Sequence, residues 1–176
     1  MTHSGFTLWL TGLSGAGKST LSELVMARLR EGGARAELLD GDVVRARLSP
    51  GLGYSREDRD ANVRRLGFIS ELLSRNGVIA VVAAISPYRA TRDEVKSRIP
   101  DFVEIFVECP IEVLASRDVK GLYKRAMAGE VANFTGVSDP YEAPLDAAVV
   151  VHSDRESVDE SVEKIWAELV RRGLIS

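Results

Sequence analysis

The residues with the clearest chemistry form a glycine-rich run near the start of the chain. The run and its next residue are Gly12, Leu13, Ser14, Gly15, Ala16, Gly17, Lys18, Ser19 and Thr20. The spacing G-x-x-x-x-G-K-[ST] lets backbone N–H groups surround phosphates, while the lysine reaches the β- and γ-phosphates and the hydroxyl contacts Mg²⁺. An apolar segment before it and a helical pattern after it favour an ATP-binding loop over a glycine-rich turn without a ligand.

Two carboxylates follow the second apolar segment of the chain. Asp40 and Asp42 are two residues apart, so they share a face if the backbone is extended there. One is expected to hold Mg²⁺ through water, and the other to accept a proton from a hydroxyl nucleophile. The alternative is that one of the two caps the next helix. The third apolar segment ends without a carboxylate, so acid–base chemistry is assigned to this pair.

A group of cations and amides follows the carboxylates, and it predicts an anionic acceptor. Arg59 and Asn62 are three residues apart and face the same way on a helix. The group consists of Arg45, Arg59, Asn62, Arg64 and Arg65. Tyr54 and Phe134 lie in loops and are able to hold a planar base between them, although core packing is the alternative for each. A solvated helix face is the alternative for Arg64.

The elements that must position these residues alternate between strand and helix patterns. Strands are predicted at residues 6–11, 36–39, 78–85, 103–107 and 147–151. Helices are predicted at residues 19–30, 56–75, 90–99, 111–117 and 157–172. This alternation predicts an α/β fold of the P-loop NTPase type, with a five-stranded parallel sheet covered by helices on both faces. Residues 120–144 have no clean period and are predicted to form a lid.

The length, net charge and cysteine count predict a single domain spanning residues 1–176 of a cytoplasmic protein. The net charge of −3 gives no general attraction to nucleic acid or to an anionic membrane. Cys109 is the only cysteine, which excludes an internal disulfide and suits a reducing compartment. The apolar run from Phe6 leads directly into the glycine-rich loop, so it is predicted to be a strand and not a signal peptide. No apolar stretch is long enough to span a bilayer.

These motifs together resemble the adenylyl-sulfate kinase family, in family order over nearly the whole chain. The glycine-rich loop is shared with many proteins, whereas Ile85-Ser86-Pro87-Tyr88-Arg89 and Lys120-Gly121-Leu122-Tyr123-Lys124 are far more specific. The other matching stretches are residues 39–42, 58–62 with Arg64 and Arg65, 117–124, 134–136 and 140–142. Tyr54 stands where the family usually has Phe, which keeps the ring and adds a hydroxyl.

The resemblance implies roles for matching residues. Asp42 and Arg45 would lie at the ribose and phosphosulfate of the acceptor, and Tyr54 and Phe134 would hold its adenine. The remaining implied acceptor-binding residues are Arg59, Asn62, Ile85, Ser86 and Lys120. Arg117 is assigned to ATP, and Ser19 and Asp40 are assigned to the metal.

Catalytic roles are assigned to Lys18, Asp42 and Ser86. The family's serine at position 86 is associated with a phosphoserine intermediate. In-line transfer of a phosphoryl group from ATP to the acceptor does not require a covalent phosphoenzyme intermediate. We therefore interpret Ser86 as a substrate-binding hydroxyl.

The implied activity is transfer of the γ-phosphate of ATP to the 3′-hydroxyl of adenosine 5′-phosphosulfate, with Mg²⁺ as cofactor. An ATP sulfurylase, fused or free, and a second copy of the chain are the partners left open. Two other functions stay as alternatives: a kinase of another small alcohol, and a nucleotide-binding module without catalysis. The absence of an N-K-x-D motif argues against a guanine-nucleotide switch.

Overall fold

The computed structural model describes residues 4–118 and 121–176, which form one parallel sheet with helices around it. The strands are β1 (Thr7–Thr11), β2 (Ala36–Asp40), β3 (Ile79–Ala83), β4 (Phe102–Glu108) and β5 (Val149–His152). The helices are α1 (Lys18–Glu31), α2 (Gly41–Leu48), α3 (Arg56–Arg75), α4 (Arg89–Lys96), α5 (Ile111–Arg117), α6 (Leu122–Met127) and α7 (Val158–Arg171).

The strand order β2-β3-β1-β4-β5 places β1 at the centre of the sheet. All four strand pairings are parallel. The carboxyl ends of the strands therefore meet at one edge, where ligands bind in open α/β sheets. The glycine-rich loop leaves β1 at this edge, directly between the ends of β3 and β4.

Helices cover both faces of the sheet with separate apolar clusters. One cluster joins α1 and α7 to the sheet through fully buried residues such as Val25, Leu29 and Ile165. The other joins α3 to Trp9 and Val82 on the opposite face. Burial on both faces explains the continuous apolar runs of the central strands, because neither face meets water.

The predicted P-loop fold is confirmed, and the bounds of α3 and α5 agree with the prediction. Two helices were not predicted. Asp40 ends β2 and the chain turns at once into α2, with Asp40 as its N-cap. The expectation of an extended chain from Asp40 to Asp42 is therefore wrong, and Asp42 lies in the first turn of a helix. Helix α6 forms inside the segment expected to be irregular.

No helix within residues 4–118 and 121–176 combines the length and the apolar character that a membrane span requires.

Candidate active site

The glycine-rich loop has a backbone path that only glycine permits at its start. Gly12 has φ 153, and a Cβ there would lie 2.3 Å from the carbonyl oxygen of Val107 on β4. Gly15 and Gly17 also adopt positive φ, at 76 and 105. The loop ends at the N-terminus of α1, whose free N–H groups and dipole favour a bound phosphate. The sequence motif is thus folded as an anion-binding loop.

Lys18 is buried and bends back over this loop. Its ammonium group donates hydrogen bonds to the carbonyl oxygens of Gly12 at 2.9 Å and Leu13 at 2.7 Å. Burial lowers the pKa of Lys18 from 10.5 to about 8, although the charges of Asp42 and Asp40 oppose this change. Both carboxylates are thus close enough to act on the lysine that the motif directs to the phosphates.

The two carboxylate oxygens of Asp40 have different partners. Oδ1 accepts hydrogen bonds from the backbone N–H groups of Asp42 and Val43, and this capping fixes the start of α2. Oδ2 lies 3.4 Å from the Ser19 hydroxyl, which donates to it. A hydroxyl beside a carboxylate is a donor set that suits Mg²⁺, which takes one or two protein oxygens together with phosphates and water. Ser19 and Asp40 therefore fit the predicted metal.

Two arginines surround the predicted acceptor aromatic, Tyr54. The guanidinium of Arg45 lies 4.8 Å from the ring centroid of Tyr54, and that of Arg59 lies 5.4 Å from it. Arg59 donates to the Tyr54 carbonyl at 3.0 Å and to the Asn133 carbonyl at 2.5 Å. Burial and the neighbouring Arg45 lower the pKa of Arg59. Because Asn133 precedes Phe134, Arg59 links the backbone of Tyr54 to that of the residue before Phe134.

The other polar members of the arginine group separate into two sets. Asn62 is buried and accepts a hydrogen bond from the Ser49 hydroxyl at 2.9 Å, close to α2. Arg65 donates to the Leu48 carbonyl at the end of α2, and Arg64 forms an ion pair with Glu94 at 2.8 Å. Arg65 therefore lies with Asn62 at the end of α2, whereas Arg64 pairs with α4.

Ser86 lies in the segment that follows β3, and its hydroxyl faces the interior. It accepts from the indole N–H of Trp9 at 3.0 Å and donates to the hydroxyl of Thr11 at 3.0 Å. The residue is 3 % exposed and has φ 40, which is unusual without a glycine. Ile85, beside it, is half-buried, and its carbonyl accepts from Thr11. The structure thus gives the Ser86 hydroxyl protein partners.

The lid segment is folded over the glycine-rich loop. The Tyr123 hydroxyl donates to the Ser14 carbonyl at 2.7 Å, and its ring meets Phe134 edge-on at 5.0 Å. At Gly136 a Cβ would lie 2.8 Å from the Leu13 side chain, so the lid approaches the loop closely. Tyr123 lies within the motif Lys120–Lys124, but nothing in the spacing of the sequence marks it as a residue of the site.

Lys120 falls outside the described residues, so its predicted role stays a prediction.

The predicted ATP-binding residue Arg117 lies near β5, beside two residues that the sequence analysis did not single out. Arg117 donates to the Ser153 carbonyl at 2.9 Å and lies 3.7 Å from the sulfur of Cys109. The Ser153 hydroxyl and Asp154 Oδ1 are buried without a hydrogen-bond partner. Buried polar atoms are almost always paired, so orphans beside a predicted ATP-binding residue suit a ligand. No local spacing marks Ser153 and Asp154 in the sequence.

The sheet order, the loop and the paired carboxylates define a P-loop kinase. The family model for adenylylsulphate kinase matches residues 4–152. The chain belongs to the adenylylsulphate kinase family.

Relatives and solved structures agree with this assignment. An adenylyl-sulfate kinase of Picosynechococcus is 56% identical over 176 residues, which cover 100% of this chain and 99% of the relative. The Mycobacterium tuberculosis APS kinase CysC, solved in complex with AMPPNP and APS, is 38% identical with a TM-score of 0.90, covering 96% of this chain and 99% of that one. A probable bifunctional SAT/APS kinase of Sorangium cellulosum is 56% identical over 172 residues, covering 98% of this chain and 30% of the relative.

Proposed function

We propose that the protein transfers the γ-phosphate of ATP to the 3′-hydroxyl of adenosine 5′-phosphosulfate. The observation that carries the proposal is the grouping of Arg45 and Arg59 at the ring of Tyr54, in a protein whose carboxylates Asp40 and Asp42 act on Lys18. An aromatic ring close to two guanidinium groups suits an acceptor with both a base and anionic oxygens. The likeness to a solved APS kinase that holds AMPPNP and APS supports the same pair of substrates.

The phosphate side of the reaction is assigned to the glycine-rich loop. Backbone N–H groups of residues 12–19 bind the β- and γ-phosphates, and Lys18 exchanges its two carbonyl partners for phosphate oxygens. Ser19 and Asp40 would hold Mg²⁺, which when bound neutralises charge between the β- and γ-phosphates. Arg117, with the unpaired atoms of Ser153 and Asp154, is assigned to the adenine end of ATP.

The acceptor side requires one proton transfer. Asp42 is exposed in the first turn of α2 and its charge acts on Lys18, so a hydroxyl brought between them lies next to a base. A bond forms between the acceptor oxygen and the γ-phosphorus while the bond to the β-phosphate oxygen breaks, and ADP leaves. The proton of the 3′-hydroxyl goes to the Asp42 carboxylate.

Binding of the acceptor is assigned to residues of the lid and to residues of the segments that follow β2 and β3. Arg45, Arg59 and Asn62 bind the phosphosulfate and ribose side, and Tyr54 and Phe134 bind the adenine. Lys120 is proposed for the anionic end. Ile85 contributes through its backbone, and Ser86 acts by fixing that backbone, since its hydroxyl is used inside the protein.

The proposal also includes the cellular location, the partner and the assembly of the enzyme. A cytoplasmic location suits the single thiol of Cys109, which is buried and free. An ATP sulfurylase is the proposed supplier of the acceptor, and the bifunctional relative supports a free or fused partner of that kind. A homodimer is proposed as the assembly.

Release of ADP with a set of acceptors tests this function. Adenylyl sulfate, AMP and gluconate are each supplied with MgATP, and the Lys18→Ala variant serves as the matched control. We expect ADP release that depends on adenylyl sulfate and disappears in the variant, because the β- and γ-phosphates lose their lysine. Equal ADP release with gluconate, or none with adenylyl sulfate, would contradict the proposal.

A further inference from the structure

Arg92, on α4, is a buried cation that the proposed reaction does not use. The residue is 1% exposed. Its guanidinium donates to Glu104 Oε1 at 2.8 Å, to the Ser86 carbonyl at 2.6 Å and to the Glu142 carbonyl at 2.7 Å. A single planar side chain thus joins three separate segments of the chain.

Two of these segments border the proposed acceptor site. Ser86 belongs to the segment after β3 that also carries Ile85. Glu142 belongs to the last part of the lid segment, where its N–H donates to the Pro87 carbonyl at 2.8 Å. The Glu142 carboxylate in turn accepts from the backbone N–H of Arg89, which begins α4. The end of the lid and the loop after β3 are therefore bound to each other, with Arg92 behind both.

The loop after β3 needs such support because its backbone is strained. A residue other than glycine with φ 40 is costly, and it persists only where its surroundings fix it. Arg92 holds the carbonyl of Ser86, while Trp9 and Thr11 hold its hydroxyl. Thr11 is also within 3.0 Å of the Tyr141 hydroxyl, so the end of β1 joins the same network.

Glu104 supplies the charge that makes a buried arginine acceptable. The side chains of the pair are 1% and 5% exposed. Burial raises the pKa of Glu104, and the charge of Arg92 opposes that change. Removal of one partner would leave an unpaired charge in the interior, whereas replacement of both by apolar side chains is often tolerated. A double substitution therefore separates the role of Arg92 in the loop from its role in stability.

We propose that Arg92 is a positioning residue for the acceptor, holding the loop after β3 and the end of the lid in their binding geometry without touching either substrate. This inference rests on the proposed function, in which Ile85 and the lid contact adenylyl sulfate. Arg92 makes no hydrogen bond to the glycine-rich loop within the described residues and reaches the end of β1 only indirectly, through Ser86 and Thr11, so its loss should affect acceptor binding more than nucleotide binding.

The test compares the Arg92→Met/Glu104→Leu double variant with the parent chain. We expect a folded protein with a lowered melting temperature, because the carbonyls of Ser86 and Glu142 lose their donor. We expect a KM for adenylyl sulfate raised at least about tenfold, and a Kd for AMPPNP within about twofold of the parent. Glu94→Gln is the matched control, because Glu94 forms only exposed or half-exposed ion pairs with Arg64 and Arg98.

A parent-like KM for adenylyl sulfate in the folded double variant would overturn the proposal, because Arg92 would then contribute only stability. If the double variant does not fold, Arg92→Lys takes its place, since it keeps the charge opposite Glu104 but cannot reach both carbonyls. Unchanged acceptor KM in Arg92→Lys overturns the proposal equally. Failure of the parent itself to phosphorylate adenylyl sulfate would instead refute the proposed function.

Discussion

The state of Lys18 gives a prediction that depends on pH. The ammonium group of Lys18 is buried over the carbonyls of Gly12 and Leu13, and burial lowers its pKa to about 8. Bound triphosphate places several negative charges on the same group, which favours its charged form. We therefore expect Lys18 to take up a proton when a nucleotide binds above pH 8.

The size of this effect follows from the two pKa values. With a pKa of about 8, about nine-tenths of the free enzyme has neutral Lys18 at pH 9, and only about a tenth at pH 7. Binding should thus take up about 0.9 proton at pH 9 and about 0.1 proton at pH 7 if the bound lysine regains its ordinary pKa. Because the bound state holds more protons, the affinity falls as pH rises above 8.

Calorimetry with AMPPNP in buffers of different ionisation enthalpy measures the proton uptake directly. The matched control is Lys18→Met, which keeps a chain of similar length and removes the titrating group. The parent should take up about 0.9 proton more than this variant at pH 9, and nearly the same number at pH 7. Equal uptake by the two proteins at pH 9 would refute the reasoning.

Three further substitutions test single residues of the site. Asp42→Asn should lower kcat by about 10²- to 10⁴-fold in steady-state kinetics, because the acceptor loses its base. Tyr123→Phe should lower the melting temperature by about 2–4 °C, because the Ser14 carbonyl loses a hydrogen bond of about 1 kcal/mol. Ser86→Ala should keep measurable turnover with its loss mainly in acceptor KM, because the hydroxyl supports the loop through Thr11.

Each substitution has its own control and its own contrary result. Asp159→Asn, at an exposed position of α7, should leave kcat unchanged, and a parent-like kcat in Asp42→Asn would exclude that residue as the base. Tyr54→Phe removes an exposed hydroxyl and should not change the melting temperature, so an equal change in both tyrosine variants contradicts the role of Tyr123. A phosphoserine at Ser86 that forms and decays at the catalytic rate would contradict its supporting role.

The sequence predicted the sheet and the nucleotide loop because both depend on local patterns. Continuous apolar runs mark buried parallel strands, and a glycine at position 12 is required where β4 approaches within 2.3 Å of a Cβ. The predicted bounds of the long helix α3 are confirmed, and the structure shows that Ser55 caps its start and that Gly77 follows its end.

The features that could not be predicted are those in which one residue has two roles or in which the contacting residues are distant in sequence. Asp40 was considered as a metal ligand or a helix cap, and it does the second with Oδ1 while Oδ2 faces Ser19. Helix α2 is short, so its period gave little signal. The contacts of Arg92 reach across 6 to 50 residues, and no local spacing records them.

The position of the new phosphate is the most direct test of the central claim. Adenylyl sulfate and MgATP are incubated with the protein, and the product is analysed by phosphorus NMR with coupling to the ribose protons. The account predicts one new phosphomonoester on the 3′ oxygen, formed in equal amount with ADP and absent with Lys18→Ala. A phosphate on the 2′ oxygen, or ADP formed without any phosphorylated acceptor, would contradict it.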